Sequence, residues 1–266
     1  MNKFPKFICY TLDLEEDHAG YLQGFYHGLD HLESFLNKCE EKKIQLSIFV
    51  QARLCETQSE KMELLKTKKI DVHLHSYTHS FGLLNDIKKK TNEIELAVNS
   101  YSNFFNKPPT GFRFPLGILH EEDYDLLESY DIKFDSSIFP IIRPGYFNNL
   151  DKPLVPFRVN QIIEFPFSVI STFMRIPISL SYIKLFYPLH FMRGYSLSPI
   201  IFDFHLHDLY PLESTHSLSY LRKLPYCRMK TKGEELFFHF HDKLLTEGYH
   251  SITISKLYNY FQDECS

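Results

Sequence analysis

Residues 7–17 read Phe-Ile-Cys-Tyr-Thr-Leu-Asp-Leu-Glu-Glu-Asp, an apolar segment with an acidic end. Its first six residues are rich in β-prone side chains and predict a buried strand. Asp13 and Glu15 are two residues apart, so they share a face if the chain remains extended. One carboxylate at such a strand end can bind a metal ion while the other acts as a base; the alternative is an acidic N-cap before a helix.

Downstream of this segment, predicted strands and helices alternate. Strands are predicted at 46–50, from 70, at 110–114, 132–134, 161–165, 199–204 and 251–254, and helices at 28–42, 60–68, 86–105, 120–130, 233–247 and 255–262. This alternation is typical of a parallel sheet with crossover helices, in which functional residues gather at strand ends. Residues from about 140 to 198 are irregular, and we interpret them as an insertion within one domain spanning 1–266.

Composition excludes several kinds of partner. The 266-residue chain has a net charge of −4 and contains no basic block, so we expect no nucleic-acid partner. Its most apolar region, 169–191, is interrupted by Arg175, Pro177, Lys184 and Pro188, which argues against a transmembrane helix. Five scattered cysteines without a C-x-x-C pair fit a reducing compartment, and the N-terminal residues lack a secretory apolar stretch. We therefore expect a soluble, cytoplasmic protein.

A second polar cluster, His73-Leu-His75-Ser-Tyr-Thr-His79, has three histidines within seven residues. His75 and His79 are four residues apart, a spacing that places both imidazoles on one side of a helical turn. Two imidazoles so arranged commonly bind one zinc ion. The cluster predicts a metal site, with a solvated histidine-rich loop as the alternative.

Two further clusters follow predicted strands. Arg113 lies among apolar residues in Gly111–Gly117, and a buried guanidinium there requires a carboxylate partner; taken alone, it suggests a structural ion pair. His205 and His207 follow the strand at 199–204, two residues apart. With that spacing one ring can face the site and the other solvent, and either can be the functional one.

The order of these clusters resembles the polysaccharide deacetylase family, whose domain is named after a nodulation chitooligosaccharide deacetylase. The matching segments, spread over residues 7–210, are the acidic TLDLEED stretch, the H-[ST]-x-x-H motif His75–His79, the R-x-P-x-G motif Arg113–Gly117, the segments Phe134–Ser137 and Ile163–Pro166, and His205 with Asp208. The H-x-x-x-H motif alone is weak, but five family motifs in order at strand ends, with the Ile163–Pro166 strand as an additional similarity, form a specific pattern.

The resemblance implies an α/β fold, a distorted (β/α)7-type barrel with helices outside. It also implies one divalent metal ion, which we expect to be Zn²⁺, bound by Glu15, His75 and His79. Glu16 and Asp17 are less favoured substitutes for Glu15.

The same resemblance implies metal-dependent hydrolysis of an amide C–N bond, with an N-acetylated sugar or glycan precursor as the expected substrate. Asp13 would take the proton of the attacking water, and Arg113 would hold Asp13 in place and keep it ionised. His205 would protonate the leaving amine, with Asp208 or another carboxylate fixing its orientation. Three further motif residues are expected to bind substrate: Tyr77, Pro115 and Asp208.

Three alternatives to a sugar deacetylase remain open. Relatives with this fold act on non-sugar amides. The pair His73-x-His75 is also how metal-dependent phosphoesterases of the PHP type and amidohydrolases begin, although they carry it on their first strand. Finally, a metal- or glycan-binding relative without turnover would have the same fold.

Overall fold

The structure is a computed structural model that describes residues 5–19, 21–80, 86–192, 194–220, 223, 226, 228 and 232–265. Within these residues the strands are β1 (Phe7–Leu14), β2 (Leu46–Val50), β3 (Asp71–Leu74), β4 (Gly111–Phe112), β5 (Phe134–Asp135), β6 (Ile142–Arg143), β7 (Phe147–Asn148), β8 (Phe157–Val159), β9 (Ile162–Glu164), β10 (Ile200–His205) and β11 (His250–Ser251).

Nine of these strands form one curled sheet in the order β10-β1-β2-β3-β4-β5-β9-β8, with β11 also paired to β1. All pairs are parallel except β8 with β9. Ser168 lies just beyond β9, and its backbone N–H donates to the Ile201 carbonyl of β10 at 3.2 Å. The sheet thus curls towards closure, which confirms the predicted α/β fold of the distorted-barrel type.

Helices cover the outside of the sheet. The described helices are α1 (Leu32–Glu41), α2 (Leu54–Thr57), α3 (Ser59–Thr67), α4 (Ile87–Phe105), α5 (Glu121–Ser129), α6 (Leu180–Leu185), α7 (Leu189–Met192), α8 (Leu206–Leu209), α9 (Gly233–Thr246) and α10 (Ile254–Cys265). The long helix α4 begins where the Asp86 carboxylate accepts the backbone N–H groups of Lys88 and Lys89. It ends at Asn106, whose left-handed backbone precedes two prolines. Among the described residues, no helix has both the length and the apolar composition of a membrane span.

The core has two parts. The larger part lies between the sheet and the outer helices, where Phe35 of α1 and Phe237 of α9 pack against Phe204 of β10. The smaller part fills the inside of the sheet and includes Ile254 and Leu257 of α10. Because α10 packs at the amino ends of the strands, the carboxyl ends remain available for a site.

The predicted insertion at about 140–198 contains a short hairpin, β6–β7, then β8, β9, α6 and α7. Only the strand at 161–165 was predicted in it; it forms β9 (Ile162–Glu164). Ser179 pairs with Asp203 of β10 through a parallel bridge. The insertion therefore reaches the carboxyl end of the sheet.

Candidate active site

A cavity of about 310 Å³ opens at the carboxyl ends of the strands. Its lining includes residues from all four polar clusters that the sequence singled out, namely Asp13, Glu15, His75, His79, Arg113 and His205. Asp13 and Glu15 share a face because β1 stays extended to Leu14, as their spacing predicted.

Glu15, His75 and His79 are buried and form a compact group. The Oε2 atom of Glu15 lies 3.3 Å from Nε2 of His75 and 3.0 Å from Nε2 of His79. The Nδ1 atom of His75 donates to the Arg113 carbonyl oxygen at 3.0 Å, so Nε2 is the nitrogen that faces the group. Such a second contact typically orients a metal-binding imidazole.

The chemistry of these three side chains fits a divalent cation. One potential ligand atom from each lies within 4.8 Å of the other two. Among the described residues, no donor is aligned for a hydrogen bond to the buried Oε2 of Glu15. Burial would raise the pKa of Glu15, but the charge of His79 and the contacts with both imidazoles hold it well below its ordinary value. An ionised carboxylate between two imidazoles is a typical zinc ligand set.

The route by which the two imidazoles converge differs from the prediction. His75 and His79 do not lie on a helical turn, because Ser76 and His79 have positive φ angles of 62° and 58°. The loop instead wraps around the buried carboxylate of Glu93, which accepts from Ser76 Oγ at 2.7 Å and Thr78 Oγ1 at 2.9 Å. The helical interpretation was wrong, and no local sequence feature indicated the role of Glu93.

Arg113 holds two carboxylates in the inner wall of the cavity. Its NH1 group donates to Oδ1 of Asp13 at 2.5 Å and to Oδ1 of Asp203 at 3.3 Å. Its NH2 group donates to Thr11 and Ser136, each at 3.0 Å, and Nε donates to the Ser136 carbonyl at 2.8 Å. The carboxylate partner that a buried guanidinium requires is therefore present twice.

Asp203 is a cavity residue that sequence reasoning missed. It precedes His205 by two positions on β10, so the two side chains share a face. Burial, and then the negative charge of Asp13, raise the pKa of Asp203 to about 7. Its available signal was a single carboxylate inside an otherwise apolar strand, Ile200–Phe204.

His205 lies beside Glu15, at the end of β10, which pairs with β1. Its Nδ1 is 3.1 Å from Oδ2 of Asp208, which also accepts the His205 backbone N–H at 3.0 Å. Its Nε2 lies 3.9 Å from Asp13 and 3.7 Å from Glu15. Burial opposes protonation, but Asp203 and Asp208 raise the pKa of His205 well above its ordinary value. His205 can therefore carry a proton into the cavity.

His207 does not face solvent, contrary to the expectation that one ring of the pair would. It is buried, lines the cavity, and stacks on His205 with ring centroids 4.6 Å apart. His18 lies against its other side at 4.3 Å. Burial, and then the charges of the neighbouring imidazoles, lower the pKa of His207 well below its ordinary value, so it stays neutral while His205 is protonated.

Glu16 and Asp17, the substitute ligands considered from sequence, hold the loop after β1. Glu16 accepts the backbone N–H of Gly24 at 2.8 Å. Asp17 accepts the backbone N–H of Gly28 at 2.9 Å and the hydroxyl of Ser214 at 2.9 Å. Neither belongs to a cluster of potential metal ligands among the described residues, which favours Glu15.

The three residues expected to bind substrate do not line the cavity. Tyr77 turns away and donates its hydroxyl to Glu56 at 2.9 Å. Pro115 borders a separate, smaller pocket. Asp208 lies behind His205, where it orients the imidazole. The assignment of Tyr77 and Pro115 to the substrate therefore stays a prediction, whereas the position of Asp208 matches the orienting role that was also expected of it.

His73 also lies outside the cavity. Its Nε2 is 3.1 Å from Asp71, and its ring packs edge-on against Phe134. His73 and His75 therefore do not converge as the H-x-H alternative requires.

The inserted segment supplies the outer wall of the cavity. Phe139, Phe147 and Tyr182 line it, together with Arg143 of the β6–β7 hairpin. Aromatic walls of this kind offer faces on which an apolar or sugar ring can stack.

Comparison with solved structures shows that the fold is that of the family 4 carbohydrate esterases. A putative polysaccharide deacetylase from Mycobacterium smegmatis matches with a TM-score of 0.62 at 12% identity, over 99% of this chain and 93% of that one. The Bc1960 peptidoglycan N-acetylglucosamine deacetylase matches with a TM-score of 0.56 at 12% identity, over 95% of this chain and 87% of that one. A family 4 pseudoenzyme from Bacillus anthracis matches with a TM-score of 0.57 at 12% identity, over 96% of this chain and 66% of that one.

The family model described as polysaccharide deacetylase matches residues 25–134. This match, with the shared fold, confirms the resemblance to the polysaccharide deacetylase family that the ordered motifs indicated. No curated protein sequence gives a significant match.

Proposed function

We propose that this protein is a metal-dependent hydrolase of amide C–N bonds that removes the N-acetyl group from an acetamido sugar or glycan precursor. The observation that carries the proposal is the convergence of three elements on one cavity: the candidate metal ligands Glu15, His75 and His79, the carboxylate of Asp13, and the imidazole of His205. The matching family and the deacetylases among its structural neighbours support the same reaction.

Glu15, His75 and His79 would hold the ion, which we propose is Zn²⁺ because two imidazoles and one carboxylate suit that metal. When bound, a divalent ion lowers the pKa of a water molecule and polarises an acetamide carbonyl. Asp13 would accept a proton from the attacking water. Its contact with Arg113 at 2.5 Å holds the carboxylate in position for this step.

His205 would deliver the second proton. As the water oxygen bonds to the carbonyl carbon and the C–N bond breaks, the protonated imidazole gives its Nε2 proton to the leaving nitrogen. Asp208 fixes the ring through Nδ1, so that Nε2 points into the cavity. The products are acetate and a free amine, and the proton held by Asp13 restores the imidazolium.

The test compares His75→Ala with His250→Ala, which removes an exposed histidine outside the cavity. Zinc content and amine release from N-acetylated sugars are measured on folded, zinc-loaded proteins. We expect His75→Ala to lose zinc and nearly all hydrolysis, and His250→Ala to retain both. Full hydrolysis by His75→Ala overturns the proposal. Stoichiometric zinc in a wild-type protein that hydrolyses no amide would favour a non-catalytic relative.

A further inference from the structure

Arg143 is a second arginine of the cavity, and it comes from the insertion. It lies on β6, where its NH1 group donates to the Leu116 carbonyl at 3.0 Å and its guanidinium carbon is 4.6 Å from the centre of the Tyr146 ring. These contacts hold the hairpin β6–β7 over the R-x-P-x-G motif. They also fix the position of a charged group that is partly exposed and lines the cavity.

Among the described residues, no carboxylate forms an ion pair with Arg143, whereas Arg113 has two such partners. These two are the arginines or lysines among the described residues that line the cavity. The donors of Arg113 are engaged by Asp13, Asp203 and neighbouring oxygens. For Arg143, in the part of the chain that the structure describes, the polar contact is the single Leu116 carbonyl and no ion pair forms. Most of its N–H fork is therefore available to a ligand.

The cavity around Arg143 suits a small ring with a charged substituent. Its volume of about 310 Å³ lies at the lower end of the range for small-molecule pockets, roughly 300–1,000 Å³. Phe139, Phe147 and Tyr182 provide the aromatic wall beside the arginine. Burial raises the pKa of Tyr182 and the charge of Arg143 opposes that rise, as expected for neighbouring groups.

We propose that the substrate carries an anionic group, a carboxylate or a phosphate, that pairs with Arg143 while the acetamide lies at the group of Glu15, His75 and His79. This inference rests on the proposed function for the acetamide. The planar guanidinium matches the paired oxygens of either anion, and such charged hydrogen bonds are stronger than neutral ones. A neutral glycan would leave this unpaired charge without a complementary group.

The test measures binding by calorimetry to the folded, zinc-loaded protein. The ligands are N-acetylglucosamine, its 6-phosphate, and an N-acetylated hexosaminuronic acid, which separate the neutral, phosphate and carboxylate cases. We expect the wild-type protein to bind one acidic ligand roughly tenfold to hundredfold more tightly than the neutral sugar. Arg143→Gln is expected to abolish this preference. The matched control Arg158→Gln removes an exposed arginine of β8, and we expect this variant to retain the preference for the acidic ligand.

Equal affinity of the wild-type protein for all three ligands overturns the inference, as does an unchanged preference in Arg143→Gln. If Arg143→Gln does not fold, Arg143→Lys takes its place. This variant retains the charge, so it must retain part of the preference for the acidic ligand, and that preference must weaken as the salt concentration rises. Amine release measured in parallel separates the two proposals. An Arg143-dependent preference without hydrolysis of any ligand refutes the proposed reaction alone, whereas hydrolysis without preference refutes the anionic substrate alone.

Discussion

Replacing Arg113 by methionine tests whether one guanidinium stabilises two buried carboxylates. The aliphatic part of the new side chain can still pack between Phe49 and Phe167, whose ring centres lie 4.0 Å and 4.4 Å from the guanidinium carbon. What is lost is the charge next to Asp13 and Asp203. Removing one partner of a buried ion pair costs about 3–5 kcal/mol, so we expect the free energy of unfolding to fall by about that amount.

A double variant isolates the electrostatic origin of that loss. Arg113→Met with Asp203→Asn removes one of the two uncompensated carboxylates, and we expect it to be about 1–2 kcal/mol more stable than Arg113→Met alone. Urea unfolding of the metal-free proteins at pH 8, followed by far-ultraviolet circular dichroism, measures both values without a contribution from bound metal. The control Arg158→Met lies on the surface and should change stability by less than about 0.5 kcal/mol.

Two results would refute this reasoning. A loss below about 1 kcal/mol in Arg113→Met would mean that water or neighbouring donors compensate the carboxylates. A double variant no more stable than the single one would mean that Asp203 is not held by this arginine.

Two other predictions concern His190 and Gly233, which do not line the cavity. Burial, and then the charge of Lys243, lower the pKa of His190 to about 4. As pH falls below about 6.5, His190 therefore becomes protonated in the unfolded chain while it stays neutral in the folded protein. Stability should therefore fall by up to about 3 kcal/mol as pH drops from about 6.5 to 4, and urea unfolding of His190→Gln should show a shallower fall; parallel profiles would contradict this. A Cβ atom at Gly233 would lie 2.1 Å from the Asp208 carbonyl oxygen. Gly233→Ala should therefore lower the free energy of unfolding by about 1–3 kcal/mol, measured by thermal unfolding. It should also slow amide hydrolysis, measured by amine release, because Asp208 orients His205. An unchanged melting temperature would show that the backbone yields there without strain.

The sequence predicted the elements whose local pattern matches their environment. The strand at 46–50 and the helix at 86–105 were found nearly to the residue, because an apolar run and a periodic apolar stripe are local features. Asp13 and Glu15 were assigned to one face for the correct reason, the two-residue period of a strand. His75 and His79 do converge on Glu15, but a loop brings them together and not the helical turn that was predicted.

The remaining parts depend on contacts that the local sequence does not contain. Asp203 faces the cavity from an otherwise apolar strand, and its partner there is Arg113, 90 residues away in the sequence. Arg143 lies on a strand of two residues, too short to show any period. The loop conformation at Ser76 is fixed by Glu93 on a helix, and a residue spacing cannot express that partnership.

The pairing of β1 with β10 restrains the distance between Asp13 and His205, the proposed acid–base pair. Asp13 and His205 are direct Cα partners in adjacent strands, and β1 also pairs with β2 and β11. Amides in the centre of such a sheet exchange with solvent only through rare, large openings. The distance from proton acceptor to proton donor therefore persists through ordinary breathing motions. His75 is held in the same way, because its backbone N–H donates to the Val50 carbonyl of β2 at 2.8 Å. Adjustment to ions of different radius would therefore fall to His79, which lies in the loop beyond β3.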